Sequence, residues 1–156
     1  MLLLGLGIAL FFLWFFAVYL GGYTQDFIDT VSLMLIIFSL LAVLTATRSF
    51  KVFYHGFRAA IFPKKDISKE MRLQAVSLFR LLSKTTGMVS AIGVLICFLN
   101  ILYNLDFSDA GGISSLGINI AAYFITLVYG LFLIAFVFEP AVFILKQRRG
   151  AGGAGD

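Results

Sequence analysis

Residues 86–105 read TGMVSAIGVLICFLNILYNL and contain no Asp, Glu, Lys, Arg or His. About 20 helical residues are needed to cross the roughly 30 Å hydrocarbon core of a bilayer. Backbone groups in lipid must bond to each other, so an apolar run of this length is expected to be a helix. The stretch therefore predicts a transmembrane span.

The rest of the chain has the same character. Its 156 residues are 61% hydrophobic and 13% charged, whereas a soluble domain is about half apolar and a quarter charged. Three further apolar blocks lie at about residues 2–20, 28–47 and 118–145. We predict an all-α membrane protein with four transmembrane helices, in a single membrane domain over residues 1–149. Residues 150–156, rich in Gly and Ala, predict a disordered tail.

Two observations refine the ends of this membrane domain. No basic segment precedes the first block and no small-x-small cleavage site follows it, so we interpret the block as a retained span and not as a signal peptide. Nine of the 12 Lys and Arg residues lie between Arg48 and Lys84, and the other three between Lys146 and Arg149. Cytoplasmic loops are enriched in Lys and Arg, so we expect segment 48–84 and both termini in the cytoplasm. The net charge of +4 then reflects topology, and no nucleic acid is expected as a partner.

The cytoplasmic segment 48–84 predicts two helices separated by a break. Apolar residues follow helical spacing before Pro63, which interrupts the helix, and Asp66 or Ser68 can cap a second helix. We expect the second and third membrane helices to continue into the cytoplasm as an antiparallel hairpin, with arms of roughly 20 Å. The second arm is predicted to carry an apolar stripe at Met71, Leu73, Val76, Phe79, Leu82 and Met88.

The residue types that catalysis requires are scarce. The chain has one His, one Cys and no Gly-rich phosphate loop, so we predict no enzyme, no cofactor and no metal site, which would need several ligands. No Asp, Glu, Lys, Arg or His lies near the middle of a predicted span. Glu139 comes closest, near the cytoplasmic end of the last span, and we interpret it either as half of an ion pair or as a titrating group.

Polar and small residues concentrate in the last two predicted spans. Hydroxyl groups such as those of Ser90 and Thr126 commonly bond to their own helix backbone, so ordinary packing also explains them. Their clustering favours an inner ring made by the last two helices, with the first two helices facing lipid. Small residues allow helices to approach closely, and they include Gly87, Gly93, Ala122 and Gly130.

Five short segments resemble, in order and spacing, the MotA/TolQ/ExbB proton-channel family: TGMVSAIG (86–93), NLD (104–106), LGINIAA (116–122), TLVYG (126–130) and Glu139-Pro140. Four spans make the chain most similar to a short-loop MotA-type stator subunit. The resemblance covers about residues 80–149, and over residues 1–65 it extends only to topology.

The resemblance implies a multi-pass protein of the bacterial cytoplasmic (inner) membrane that forms a ring of five around two copies of a single-span partner. A membrane Asp of that partner would carry the proton or sodium ion. Ser90 and Thr126 match hydroxyl positions of the family's ion path, and Pro140 matches a proline associated with gating. The family also usually has a Pro before the third span, where this chain has Lys84-Thr85-Thr86.

Flagellar members of the family have a much longer cytoplasmic region than segment 48–84. Contact with a rotor or another effector would therefore fall to the hairpin tip, at Lys64, Lys65, Lys69, Glu70 and Arg72. The predicted function is that of an ion-conducting ring subunit that converts ion-motive force into rotation or other mechanical work, as in flagellar motility. The alternatives are a stand-alone small channel or transporter and a non-conducting membrane scaffold subunit.

Overall fold

The computed structural model describes residues 2–19, 29–62, 67–104, 120 and 124–151, and within these ranges the chain is helical with no strand. Its helices are α1 (Leu2–Tyr19), α2 (Thr30–Ala46), α3 (Phe50–Ile61), α4 (Lys69–Asn104) and α5 (residues 124–151). A wider, π-helical segment, Ile134–Phe138, interrupts α5. The predicted positions Lys64, Lys65 and Ala122 lie outside the described residues, as does 152–156 of the predicted tail, while Gly150 and Ala151 still belong to α5.

Two helices are long and apolar enough to cross a membrane, judged by length and composition: Lys69–Tyr103 of α4 and Phe124–Gln147 of α5. A third candidate arises if α2 and α3 count as one bent span. The apolar stretch Leu4–Phe15 of α1 is shorter than a span. The described chain is thus all-helical with two to three candidate membrane spans. This confirms the predicted all-α class, while the count of four spans stays a prediction.

Large apolar side chains remain exposed on the helices that the sequence assigns to the membrane. Soluble proteins rarely expose contiguous apolar surface on this scale, and a helix that is apolar all round suits a bilayer. The exposed side chains include Phe11, Phe12 and Trp14 on α1 and Leu95, Leu99 and Tyr103 on α4.

The connection between α2 and α3 departs from the predicted hairpin, because α3 turns by 116° from the axis of α2. Arg48 adopts a left-handed conformation with φ 51°. Its N–H donates to the Thr45 carbonyl, and the Ser49 N–H donates to the Leu44 carbonyl, both at 3.1 Å. This hydrogen-bond pattern is the Schellman motif, which ends a helix and turns the chain. α2 therefore does not run on into α3 as one helix, and the predicted antiparallel hairpin is not confirmed.

The other predicted arm is continuous, since α4 runs without interruption for 36 residues, about 54 Å at 1.5 Å per residue. Ser68 caps its start as predicted: its hydroxyl accepts from the Met71 N–H at 3.3 Å and its carbonyl accepts from the Arg72 N–H at 3.0 Å. Of the predicted apolar stripe, Phe79 and Leu82 are fully buried. Leu73 and Met88 are exposed.

The best-packed core lies where α3, the first half of α4 and the end of α5 meet. Gly56 of α3 allows the closest approach, because a Cβ atom there would lie 2.7 Å from the Ala75 Cβ. The rings of Phe53 and Phe138 both pack near Phe79, with centroids 5.7 and 6.4 Å from the Phe79 centroid. This core fixes α5 against α4 and so sets the register of their polar residues.

Candidate functional site

A series of polar side chains, here called the polar line, runs along the interface between α2, α4 and α5. On α4 its members are spaced by three and four residues, so they lie on one face of that helix. Contacts of α4 residue 93 with α5 residue 126, and of 83 with 139, show that the two helices run antiparallel. The polar line consists of Asp29, Ser32, Thr126, Ser90, Thr86, Ser83 and Glu139.

One end of the polar line is a hydrogen-bonded group at the start of α2. Asp29 is the N-cap of that helix and accepts from the Val31 N–H at 3.1 Å. The Ser32 hydroxyl donates to the same carboxylate and is also bonded to the Thr126 hydroxyl. A hydroxyl has one proton to donate, so Thr126 is the donor to Ser32. The Tyr129 hydroxyl accepts from the Asp29 N–H at 3.1 Å.

The middle of the polar line is formed by two hydroxyl groups with no hydrogen-bond partner. Thr86 and Ser90 are 0% and 1% exposed, and neither side-chain oxygen bonds to any described group. Hydroxyls elsewhere in the chain do bond to their own helix, since Ser39 and Thr45 donate to backbone carbonyls at 2.7 Å. The ordinary explanation of helical Ser and Thr therefore does not hold for Thr86 and Ser90.

Leaving a buried hydroxyl unpaired costs about 1–3 kcal/mol. Such a group in a native protein calls for an explanation, and a functional role or an exchangeable water or ion are the usual ones. Two unpaired buried hydroxyls on one face of α4 indicate a functional role more strongly than one would. Thr86 and Ser90 are therefore the candidate functional residues in the middle of the polar line.

Glycines bring α4 and α5 together at this level. A Cβ atom on Gly130 would lie 2.8 Å from the Ser90 Cβ and would overlap the Ser90 hydroxyl. A Cβ on Gly93 would be 3.1 Å from the Thr126 methyl group, whereas one on Gly87 would meet only Ile134, at 3.5 Å. Gly130 is therefore required for the close contact, Gly93 is tight, and Gly87 is not constrained.

The other end of the polar line is the pair Ser83 and Glu139, in which the hydroxyl donates to the carboxylate at 3.3 Å. Glu139 follows the π-helical segment, and its N–H donates to the Ile134 carbonyl, five residues earlier. Pro140 comes next and has no N–H of its own, and its ring crowds the preceding turn. A π turn adds one residue to the helix, and this extra residue brings Glu139 round to face Ser83.

The two sequence-predicted path residues, Ser90 and Thr126, are not hydrogen-bonded to each other and do not face outward. Thr126 is 2% exposed and bonds to Ser32, while Ser90 faces Gly130. Both therefore point into the interior of one chain and not onto a surface that a second subunit could cover. The sequence predicts that the second membrane helix faces lipid. One side of α2 instead packs inside the chain, where it contributes Asp29 and Ser32 to the polar line.

Sequence reasoning missed four members of the polar line: Asp29, Ser32, Ser83 and Thr86. The three-and-four spacing of Ser83, Thr86 and Ser90 is a signal that could have revealed the α4 members. No comparable signal marks Ser32, which is one polar residue in an apolar helix. The remaining predicted effector residues lie in the first turns of α4, where Lys69 and Glu70 are exposed and Arg72 is partly buried.

Comparison with known proteins adds no relative to this picture. The chain matches no protein-family model and no curated protein. Within the described ranges no three His, Cys, Asp or Glu side chains are grouped so as to hold a metal ion. The resemblance to the MotA/TolQ/ExbB family therefore remains a prediction, carried by the five sequence segments that suggest it.

Proposed function

We propose that this protein is the ion-conducting subunit of a stator-like membrane complex, in which proton or sodium flow is converted into rotation or other mechanical work. The observation that supports this function best is the pair of buried, unpartnered hydroxyls, Thr86 and Ser90, in line with carboxylate-bearing ends at Asp29 and Glu139. A purely structural interface has no reason to keep such groups, since apolar replacements of the same shape are close to neutral or stabilising.

The ion would move along the hydroxyl oxygens of α2, α4 and α5 that belong to the polar line. A hydroxyl both donates and accepts a hydrogen bond, so Ser32 and Thr126 can pass a proton between them by reversing their shared bond. Ser90 and Thr86 would take up the proton through water, or would coordinate a sodium ion directly. Carboxylates at Asp29 and Glu139 favour cations at both ends. Ionisable groups in a membrane protein usually mark ion pathways of this kind.

The finer architecture belongs to the same proposal. The chain would cross the membrane four times with both termini in the cytoplasm, as the distribution of Lys and Arg favours. Five copies would surround two copies of a single-span partner with a membrane Asp. The exposed apolar faces of α1 and α4 would contact lipid or neighbouring copies. Driven by the ion, the ring would turn around the partner.

A second candidate function, a stand-alone channel, is favoured by one observation. Asp29 at one end and Glu139 at the other belong to the same chain, and the hydroxyls between them are all internal. A path complete within one chain does not require a partner's carboxylate. The two candidate functions differ in the subunit composition of the complex and in whether this protein conducts ions without a partner.

Native mass spectrometry of the protein, expressed with its neighbouring genes and extracted in mild detergent, separates the candidates. Five copies with two copies of a single-span, Asp-bearing protein is the result expected of a stator. Ion flux into vesicles should then require both proteins. A partner-free protein that conducts by itself would instead establish the stand-alone channel, and a protein that conducts neither alone nor with its neighbours would contradict both.

A further inference from the structure

A cavity of about 360 Å³ lies between the first third of α4 and the end of α5, away from the polar line. Four basic side chains line it: Lys69, Arg72 and Arg80 from α4 and Lys146 from α5. Among the residues that the structure describes, no acidic side chain lines it. From this arrangement we infer that the cavity is a binding site for the phosphate group of an anionic ligand.

The basic residues converge because of their spacing. Lys69, Arg72 and Arg80 are separated by three and eight residues, so they lie on one face of α4. Glu70 belongs to the same turn but is displaced by about 100° around the axis, and it does not line the cavity. None of the four cations forms an ion pair with an acidic residue in the described part of the chain.

This concentration of positive charge is unfavourable without a counterion. Like charges on neighbouring turns of one helix face repel each other, and cations in the first turn of a helix oppose its dipole. An anion bound among Lys69, Arg72, Arg80 and Lys146 would offset both effects. The two Arg side chains favour phosphate in particular, because the planar guanidinium group matches phosphate oxygens with two parallel hydrogen bonds.

The remaining walls indicate that the ligand also has an apolar part. Leu73, Val76 and Leu145 line the cavity beside the cations. Arg80 lies shortly before the apolar run that begins at residue 86, and Leu145 ends the apolar part of α5, so the cavity opens near the proposed cytoplasmic membrane surface. Basic pockets between membrane helices on that side are suited to anionic lipid headgroups. A soluble phosphate ester carries the same phosphate group and could enter the cavity from the cytoplasm.

The inference is tested with the full-length protein in lipid nanodiscs and a charge-matched pair of variants. Arg72→Gln/Arg80→Gln removes two cations from the cavity. Lys51→Gln/Lys84→Gln removes two exposed cations from the same cytoplasmic segment but outside the cavity. Native mass spectrometry then counts retained phosphatidylglycerol and phosphatidylcholine, and isothermal titration with glycerol 3-phosphate gives the soluble arm. Circular dichroism checks the helical content of each variant.

A lipid headgroup is established as the ligand if the protein retains phosphatidylglycerol in preference to phosphatidylcholine and this preference falls about tenfold in the cavity variant but not in the control. A tenfold change corresponds to about 1.4 kcal/mol. Binding of glycerol 3-phosphate with the same dependence establishes a soluble phosphate instead. If the double variant fails to fold, Lys146→Gln alone replaces it. Equal retention in cavity and control variants, or no preference for phosphate anions in either arm, overturns the inference.

Discussion

Several hydroxyl groups along α2 and α4 differ in the acceptor of their hydrogen bond. The Ser39 and Thr45 hydroxyls donate to backbone carbonyls of their own helix, and the Ser32 hydroxyl donates to the Asp29 carboxylate. Thr86 and Ser90 have no described acceptor. Residue type alone predicts Ser90 and Thr126 as path residues. Their hydrogen-bond partners could not be predicted, because they depend on the register of the helices, which single residues do not encode.

Ser90→Ala removes a hydroxyl that has no partner. We expect the free energy of unfolding in detergent to stay unchanged or to rise, by at most the roughly 1–3 kcal/mol that the unpaired group costs. Ser32→Ala, in contrast, breaks two hydrogen bonds and should lower the free energy of unfolding by about 0.5–1.5 kcal/mol for each. Thermal or denaturant unfolding followed by circular dichroism measures both. A loss for Ser90→Ala as large as that for Ser32→Ala would mean that Ser90 is an ordinary packing residue.

Gly130→Ala places a methyl group against Ser90, 2.8 Å from its Cβ. The helices must separate, and overpacking of this kind typically costs about 1–3 kcal/mol. Gly87→Ala is the matched control at the same interface, since its new methyl would meet only Ile134 at 3.5 Å. It should be neutral or slightly stabilising, because Ala favours helix over Gly by up to about 1 kcal/mol. Equal unfolding free energies for the two variants would contradict the described contact between α4 and α5.

Helices were the most predictable elements, and turns were the least. The predicted spans 28–47 and 86–105 overlap α2 and the second half of α4. The break after α2 was missed because a helix-ending left-handed residue is usually Gly, whereas Arg48 occupies it here. The π-helical segment of α5 also has a weak sequence signal, because only Pro140 marks it, and it was not predicted.

Pro140→Leu is expected to change the register of α5 without dissolving it. A residue with an N–H allows the regular hydrogen bond to the carbonyl four residues earlier, so the π segment can close and Glu139 turns away from Ser83. A short bifunctional thiol reagent measures this in a Cys97→Ala background carrying Ser83→Cys and Glu139→Cys. Cross-linking should be efficient when Pro140 is kept and should fall in the Pro140→Leu variant, while the thermal stability is retained. Unchanged cross-linking would show that Pro140 does not set the position of Glu139.

On the scale of the whole molecule, buried apolar side chains and exposed apolar side chains lie in different parts of the protein. The apolar core of α3, α4 and α5 is dense and buried, whereas much of α1 and of the second half of α4 presents apolar side chains outward. The composition and the lengths of the four apolar blocks predict a helical membrane protein. The polar line could not be predicted in the same way, because it joins residues from α2, α4 and α5 that meet only through the register of three helices.

Ion flux through the reconstituted complex, or through the protein alone if it conducts alone, tests the polar line most directly. Ser90→Ala should lower the flux about tenfold, the effect of roughly 1.4 kcal/mol on the barrier, while assembly and stability are retained. Ser39→Ala, which removes a backbone-bonded hydroxyl outside the polar line, should conduct like the unmodified protein. Undiminished flux in a correctly assembled Ser90→Ala protein would contradict the account, since ions would then cross without the polar line.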